Sequence, residues 1–165
     1  MVAYISLCLG EWLREEMIYL DLQLLTSAAL LHDIAKMKSI NNGLDHAELG
    51  AEWLVDEGYP EVAEVVSNHV VLQTDLSGPI VAKEIVYYAD KRVRHCEIVS
   101  VAERLQDLRI RYGVDSLAMG RLSALGDLTR SVEIKLFTPL KHRPEDISEN
   151  SIIKNLLTYA GQTNI

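Results

Sequence analysis

The sequence predicts an all-α protein folded as one domain, and three observations carry that prediction. Apolar residues recur at intervals of three and four along nearly the whole chain. No stretch alternates strictly between apolar and polar residues, as a half-buried strand would. Glycines, prolines and an Asn-Asn-Gly run cut the apolar segments into lengths suited to helices. At 165 residues the chain is long enough for one sizeable core.

Val2, Ile5, Leu9 and Trp12 share a helical face from the start, with no capping residue ahead of them. Asp21 caps a second helix that ends at Leu31. Lys38 to Leu44, with Asn41-Asn42-Gly43, reads as loop. The next helix spans Asp45 to Glu57 and stops at Gly58, and Pro60 opens another that reaches about Val71. After a polar connection from Gln73 to Pro79, helices cover Ile80 to Arg94 and Val99 to Tyr112, where Gly113 ends the second. Ala118, Leu122, Leu125, Thr129, Val132 and Leu136 then keep one face of a long helix. Beyond Pro139 to Pro144, a short last helix follows Ser148.

Composition narrows the functional classes. Hydrophobic residues make up 48% and aromatics 6%, the leucine- and valine-rich balance of packed helices. A formal net charge of -8 argues against a general nucleic-acid or anionic-membrane surface. No apolar run is long enough to span a bilayer, and no signal-peptide pattern opens the sequence. Cys8 and Cys96 have neither disulfide nor zinc spacing, which places them as free thiols and the protein in a reducing cytoplasm. The acidity also sets a requirement: to hold a phosphate ester, such a molecule needs a local positive source.

Four inward-facing polar positions meet that requirement. His32 continues the buried stripe of Leu25 and Ala28, and Asp33 follows it directly. Taken alone, the pair reads equally well as a core histidine beside a capping aspartate. His46 shares a face with Gly50 and Trp53, His69 with Val62 and Val65 or Val66, and Asp90 with Val86 and Val93. Four successive helices thus each carry a histidine or aspartate on the buried side. That burial is costly unless a metal centre partners the groups. Nitrogen and carboxylate oxygen together suit iron, manganese or zinc better than calcium, and the lack of cysteine ligands argues against structural zinc. Asp33 is suited to bridge two ions, with His32 and Asp90 on one side and His46 and His69 on the other. Two divalent ions against two carboxylates leave the pocket net positive.

His32-Asp33-Ile34-Ala35-Lys36 resembles the signature of the HD-domain metal-dependent phosphohydrolases. Asp45-His46-Ala47-Glu48-Leu49-Gly50, Asn68-His69 and Tyr88-Ala89-Asp90-Lys91 are similar to the later motifs of that superfamily, in the same order. The resemblance implies an HD-domain-like helical bundle, its motif-bearing core at about 1–112 and extra helices over about 113–165. It further implies a hydrolase of a small phosphate ester, a nucleotide by class, working through a metal-activated water. The implied cofactors are two divalent ions drawn from iron, manganese, magnesium and zinc. By the same resemblance His32, Asp33 and Asp90 are core ligands, and His46 and His69 ligate a second ion in binuclear members. The family usually adds a histidine near the start of its first helix, and the matching Val2-Ala3 stretch has none. Either the chain begins upstream of Met1, which the uncapped opening favours, or the site is degenerate.

Secondary candidates follow. Lys36 lies one turn beyond His32, within reach of a phosphate oxygen, so Asp33 and Lys36 are the catalytic pair; Lys36 reads equally as a solvated helix-end lysine. Lys91 and Arg94 are further candidates for the substrate phosphate. Glu103 and Arg104 read as a structural pair, His95 and His142 as surface residues, and Trp12 and Trp53 as core. Of Tyr87 and Tyr88, only one is expected to face inward. No covalent-catalysis triad or Gly-rich phosphate loop is present. Two rivals to the hydrolase remain: a degenerate HD domain that binds a nucleotide or partner protein without turnover, and a bundle whose histidines are hydrogen-bonded core groups. The C-terminal helices leave room for a homodimer contact.

Overall fold

A computed structural model describes residues 1–148, and the expected final helix after Ser148 lies outside them. The helices are α1 (Val2–Glu15), α2 (Leu22–Leu31), α3 (Lys36–Asn42), α4 (His46–Asp56), α5 (Pro60–Ser67), α6 (Ala82–Lys91), α7 (Val101–Tyr112) and α8 (Ser116–Phe137). Between α6 and α7 stands a two-strand antiparallel hairpin, β1 (Val93–Arg94) and β2 (Glu97–Ile98), with Val93 opposite Ile98. No described helix is long and apolar enough to cross a membrane.

Local chemistry explains most boundaries. The Asp21 carboxylate accepts from the backbone N–H of Gln23 at 2.8 Å and of Leu24 at 3.0 Å, as expected of a cap. Asp45 caps α4 through Ala47, and Pro60 stands in the first turn of α5. Ser100 and Glu103 form a reciprocal capping box at the start of α7.

The core is built around α6, against which α1, α2, α5 and α8 all pack. Ile85, Val86, Tyr87, Tyr88 and Ala89 are all fully buried, which only a helix surrounded by others permits. Both tyrosines therefore face inward, contrary to the expectation that only one could. Tyr87 Oη bonds Thr129 Oγ1 on α8, and Tyr88 donates to Glu133 while accepting from Arg92. On the far side of the core, α1 and α2 touch at Gly10. A Cβ there would lie 2.7 Å from a Leu22 methyl and 2.9 Å from a Leu25 methyl. This close approach sets the line of the helix that ends at the His-Asp pair. Leu9, next to Gly10, is fully buried. Leu9→Ala is expected to cost about 2–5 kcal/mol, read as a lower denaturation midpoint at unchanged urea m-value.

Three boundaries differ from expectation. The segment expected as loop, Lys38 to Leu44, is largely helix α3. Gly43, at φ 66°, donates its N–H to the Ser39 carbonyl, so the Asn-Asn-Gly run terminates a helix. The helix expected to reach Val71 ends at Ser67. The helix expected to reach Arg94 ends at Lys91, because Arg92 folds the chain back: its Nε donates to the Val99 carbonyl and its carbonyl accepts from Val99 N–H. Trp53, expected in the core, is 36% exposed, since α4 packs chiefly on α3 and α5 at the periphery.

Candidate metal centre

The ligand-type side chains all come from helix ends. His32 is the C-cap residue of α2 and Asp33 opens the turn into α3. His46 is the first residue of α4, immediately after its Asp45 cap. His69 follows the C-cap of α5, where Asn68 staples the turn by donating to the Glu64 carbonyl and accepting from Gln73 N–H. Asp90 occupies the last turn of α6.

These ends converge on Asp33. Its Oδ1 lies 3.3 Å from His46 Nε2 and 3.6 Å from His69 Nε2. Its Oδ2 lies 3.6 Å from His32 Nε2, which is 3.8 Å from Asp90 Oδ1. His46 and His69 bring their Nε2 atoms within 3.1 Å of each other. Asp33, His46 and His69 each offer a ligand atom within 4.8 Å of the others. The carboxylate of Asp33 thus stands between a His46–His69 half and a His32–Asp90 half.

Protonation states suit a cation. His32 Nδ1 donates to the Ala29 carbonyl at 2.8 Å, and His69 Nδ1 to the Val66 carbonyl at 2.7 Å. A carbonyl can only accept, so in each neutral ring the lone pair is on Nε2, the nitrogen that faces the cluster. Burial pushes the pKa of His32 and of His46 down, which keeps these rings neutral. Burial alone would raise the two carboxyls, but the Lys36 ammonium holds Asp33 below its usual range and Lys91 does the same for Asp90. Neutral imidazoles and ionised carboxylates are the forms that ligate metal. The donor set of Asp33, His46 and His69 therefore fits a divalent ion.

The expected phosphate-binding cations are placed unequally. Lys36 is half-exposed, with Nζ 2.6 Å from Asp33 Oδ2. Lys91 is buried: its Nζ donates to the His69 carbonyl at 2.9 Å and to Asp90 Oδ2 at 2.8 Å, so it braces two residues of the cluster from behind. Arg94 pairs with Glu97 and lines a different cavity, of about 730 Å³, with Arg92 and Ser100. It leaves the Asp90 face because α6 ends before it.

Beside Asp33 opens a cavity of about 600 Å³, lined by His32, Asp33, Lys36 and Asp90. Val2 and Ala3 form part of its wall and contribute no ligand-type side chain. Arg104 and Arg111 of α7 also line it. Arg104 was expected to pair with Glu103, but Glu103 serves the capping box and Arg104 pairs with Asp107 instead. Only the spacing of Arg104, Asp107 and Arg111 on one helix face hints at this in the sequence. His142 stacks on Trp12, with ring centroids 4.0 Å apart, well away from the cluster residues in sequence and in contacts.

A family model described as HD domain matches residues 1–108, a stretch that holds the whole cluster. No curated protein and no solved structure gives a significant match.

Proposed function

The chain belongs to the HD-domain family, whose members are generally metal-dependent hydrolases, and on that premise we propose that it hydrolyses a small phosphate ester, a nucleotide by class, at the Asp33 cluster. The observation that carries this reading is the convergence of Asp33, His46 and His69 at ligand distances, with the Nε2 lone pair of His69 turned inward. Divalent ions bound there would activate a water and take up charge on the phosphoryl group.

The chain's own groups divide the remaining work. Asp33, through its two oxygens, joins both halves of the ligand set. The Nδ1 bonds of His32 and His69 fix which ring nitrogen each presents. Lys91 holds the Asp90 carboxylate and the His69 backbone in register without facing the substrate. Lys36 has an exposed ammonium at the cavity mouth and can swing from Asp33 to a phosphoryl oxygen, adding positive charge where negative charge develops.

The test is turnover of para-nitrophenyl phosphate and a panel of phosphorylated metabolites by the full chain supplied with manganese, iron, magnesium or zinc. Activity that disappears with chelator and returns with metal is the expected result. A second reading, a binder without turnover, is favoured by the cavity wall at Val2 and Ala3, which offers no donor to the His32–Asp90 half. Bound metal with no turnover of any ester would support that binder and overturn the hydrolase.

A further inference from the structure

Positive charge gathers beside the Asp33 cluster. The charged residues lining the cavity beside Asp33 comprise the two ligand carboxylates and three cations, Lys36, Arg104 and Arg111. In a chain of net charge -8, a wall with no acid beyond the ligand pair is a local reversal.

The two arginines are held as a unit. Asp107, between them on α7, accepts from Arg104 Nη1 at 2.9 Å through Oδ2 and from Arg111 Nε at 2.9 Å through Oδ1. One carboxylate therefore stands against two guanidinium groups, and one positive charge is left over. Arg111 also donates through Nη2 to His95 Nε2 at 2.7 Å, and His95 sits at φ 57° in the turn of the β1–β2 hairpin. That bond gives the small hairpin a purpose: it brings a second support to the Arg111 fork. Arg104 is less well satisfied. Its Nε is buried with no hydrogen-bond partner among the described residues. A buried, unpaired guanidinium N–H is costly, and an anion entering the cavity is the acceptor that would complete it. Planar forks fixed in this way match the oxygens of a phosphoryl group, which a lysine ammonium does less specifically.

We infer that Arg104 and Arg111 form a second phosphoryl subsite, so that the preferred ligand carries one phosphoryl group at the Asp33 cluster and another at the α7 wall. The inference rests on the proposed hydrolase site only for the first of these groups. It narrows the substrate class to esters whose leaving group is itself phosphorylated, which a cavity of this volume accommodates.

The experiment uses the full chain with manganese present and measures calorimetric affinity for alkanediol bisphosphates of increasing length and for the matching alkyl monophosphates. At least one bisphosphate is expected to bind about tenfold or more tightly than its monophosphate. Arg111→Gln, at an exposed position, is expected to remove most of that ratio. Arg104→Lys, which keeps the charge beside Asp107 but loses the fork, is expected to reduce it as well. A ratio near one in the unaltered protein, or one unchanged in both variants, overturns the subsite. Because the readout is a ratio of affinities, it stands apart from turnover. An Arg111-dependent ratio without hydrolysis keeps the subsite and sinks the hydrolase, and hydrolysis without such a ratio does the reverse.

Discussion

Replacing Asp33 with asparagine is expected to lower kcat/KM on any phosphate ester the protein turns over by on the order of a thousandfold or more. Both oxygens of this carboxylate are engaged, Oδ1 toward His46 and His69 and Oδ2 toward His32 and Lys36. An amide keeps the size of the side chain, removes its charge and presents one donor where two acceptors stood. The donor would face lone pairs on His32 or His69, so the two halves of the cluster would lose their common anion. Metal content per chain, measured after dialysis, should fall together with activity. The fold should survive, because Asp33 is partly exposed and makes no helix cap. A variant that keeps both its metal and its turnover would remove Asp33 from the centre of the mechanism. If the cluster were only a hydrogen-bonded core, the melting temperature would move while metal content stayed the same.

The residues that sequence reasoning placed correctly are those whose signal is local. Asp21, Asp45 and Pro60 declare helix starts through bonds or dihedrals within a few residues, and each does so in the structure. His46 and Asp90 do lie within α4 and α6, as their apolar spacing suggests, whereas His32 and His69 stand just past the ends of α2 and α5, where helical spacing no longer governs direction. What depended on distant partners was not readable. Gly43 could equally have marked the middle of a loop or the end of α3, since a positive φ serves both. The hairpin after α6 exists because Arg92 reaches Val99, and no periodicity announces four strand residues. Lys91 and Arg94 looked alike as cations after Asp90; the end of the helix between them sends one into the core and the other to a different cavity. Arg104 reads in the sequence as a partner of Glu103 and Arg111 carries no signal of its own, because the face of α7 that meets the cavity is set by tertiary packing.

Replacing Lys135 with methionine is expected to destabilise the fold by about 3–5 kcal/mol, more than any surface substitution would. Glu84 is fully buried in the first turn of α6, and Lys135 Nζ lies 2.6 Å from its Oε1. The Thr74 hydroxyl donates to the same oxygen, and Oε2 accepts from Val81 N–H at 3.2 Å. The ammonium also donates to the carbonyls of Asp75 and Pro79, so a single side chain from α8 ties the connection before α6 to the helix itself. Methionine fills similar volume but leaves a buried carboxylate without its cation, and that uncompensated charge dominates the cost. Adding Glu84→Gln to Lys135→Met should recover much of the loss, because the charge that needed a partner is then gone. The same double substitution tests whether the clip bears on function, since α6 delivers Asp90 to the cluster from its opposite end. Metal content near that of the unaltered protein in the double variant would make the clip a matter of stability alone. Depleted metal with the fold restored would mean that the tether also sets the reach of Asp90. Urea denaturation of the single and double variants decides the first part, and a double variant no more stable than Lys135→Met would refute the charge argument.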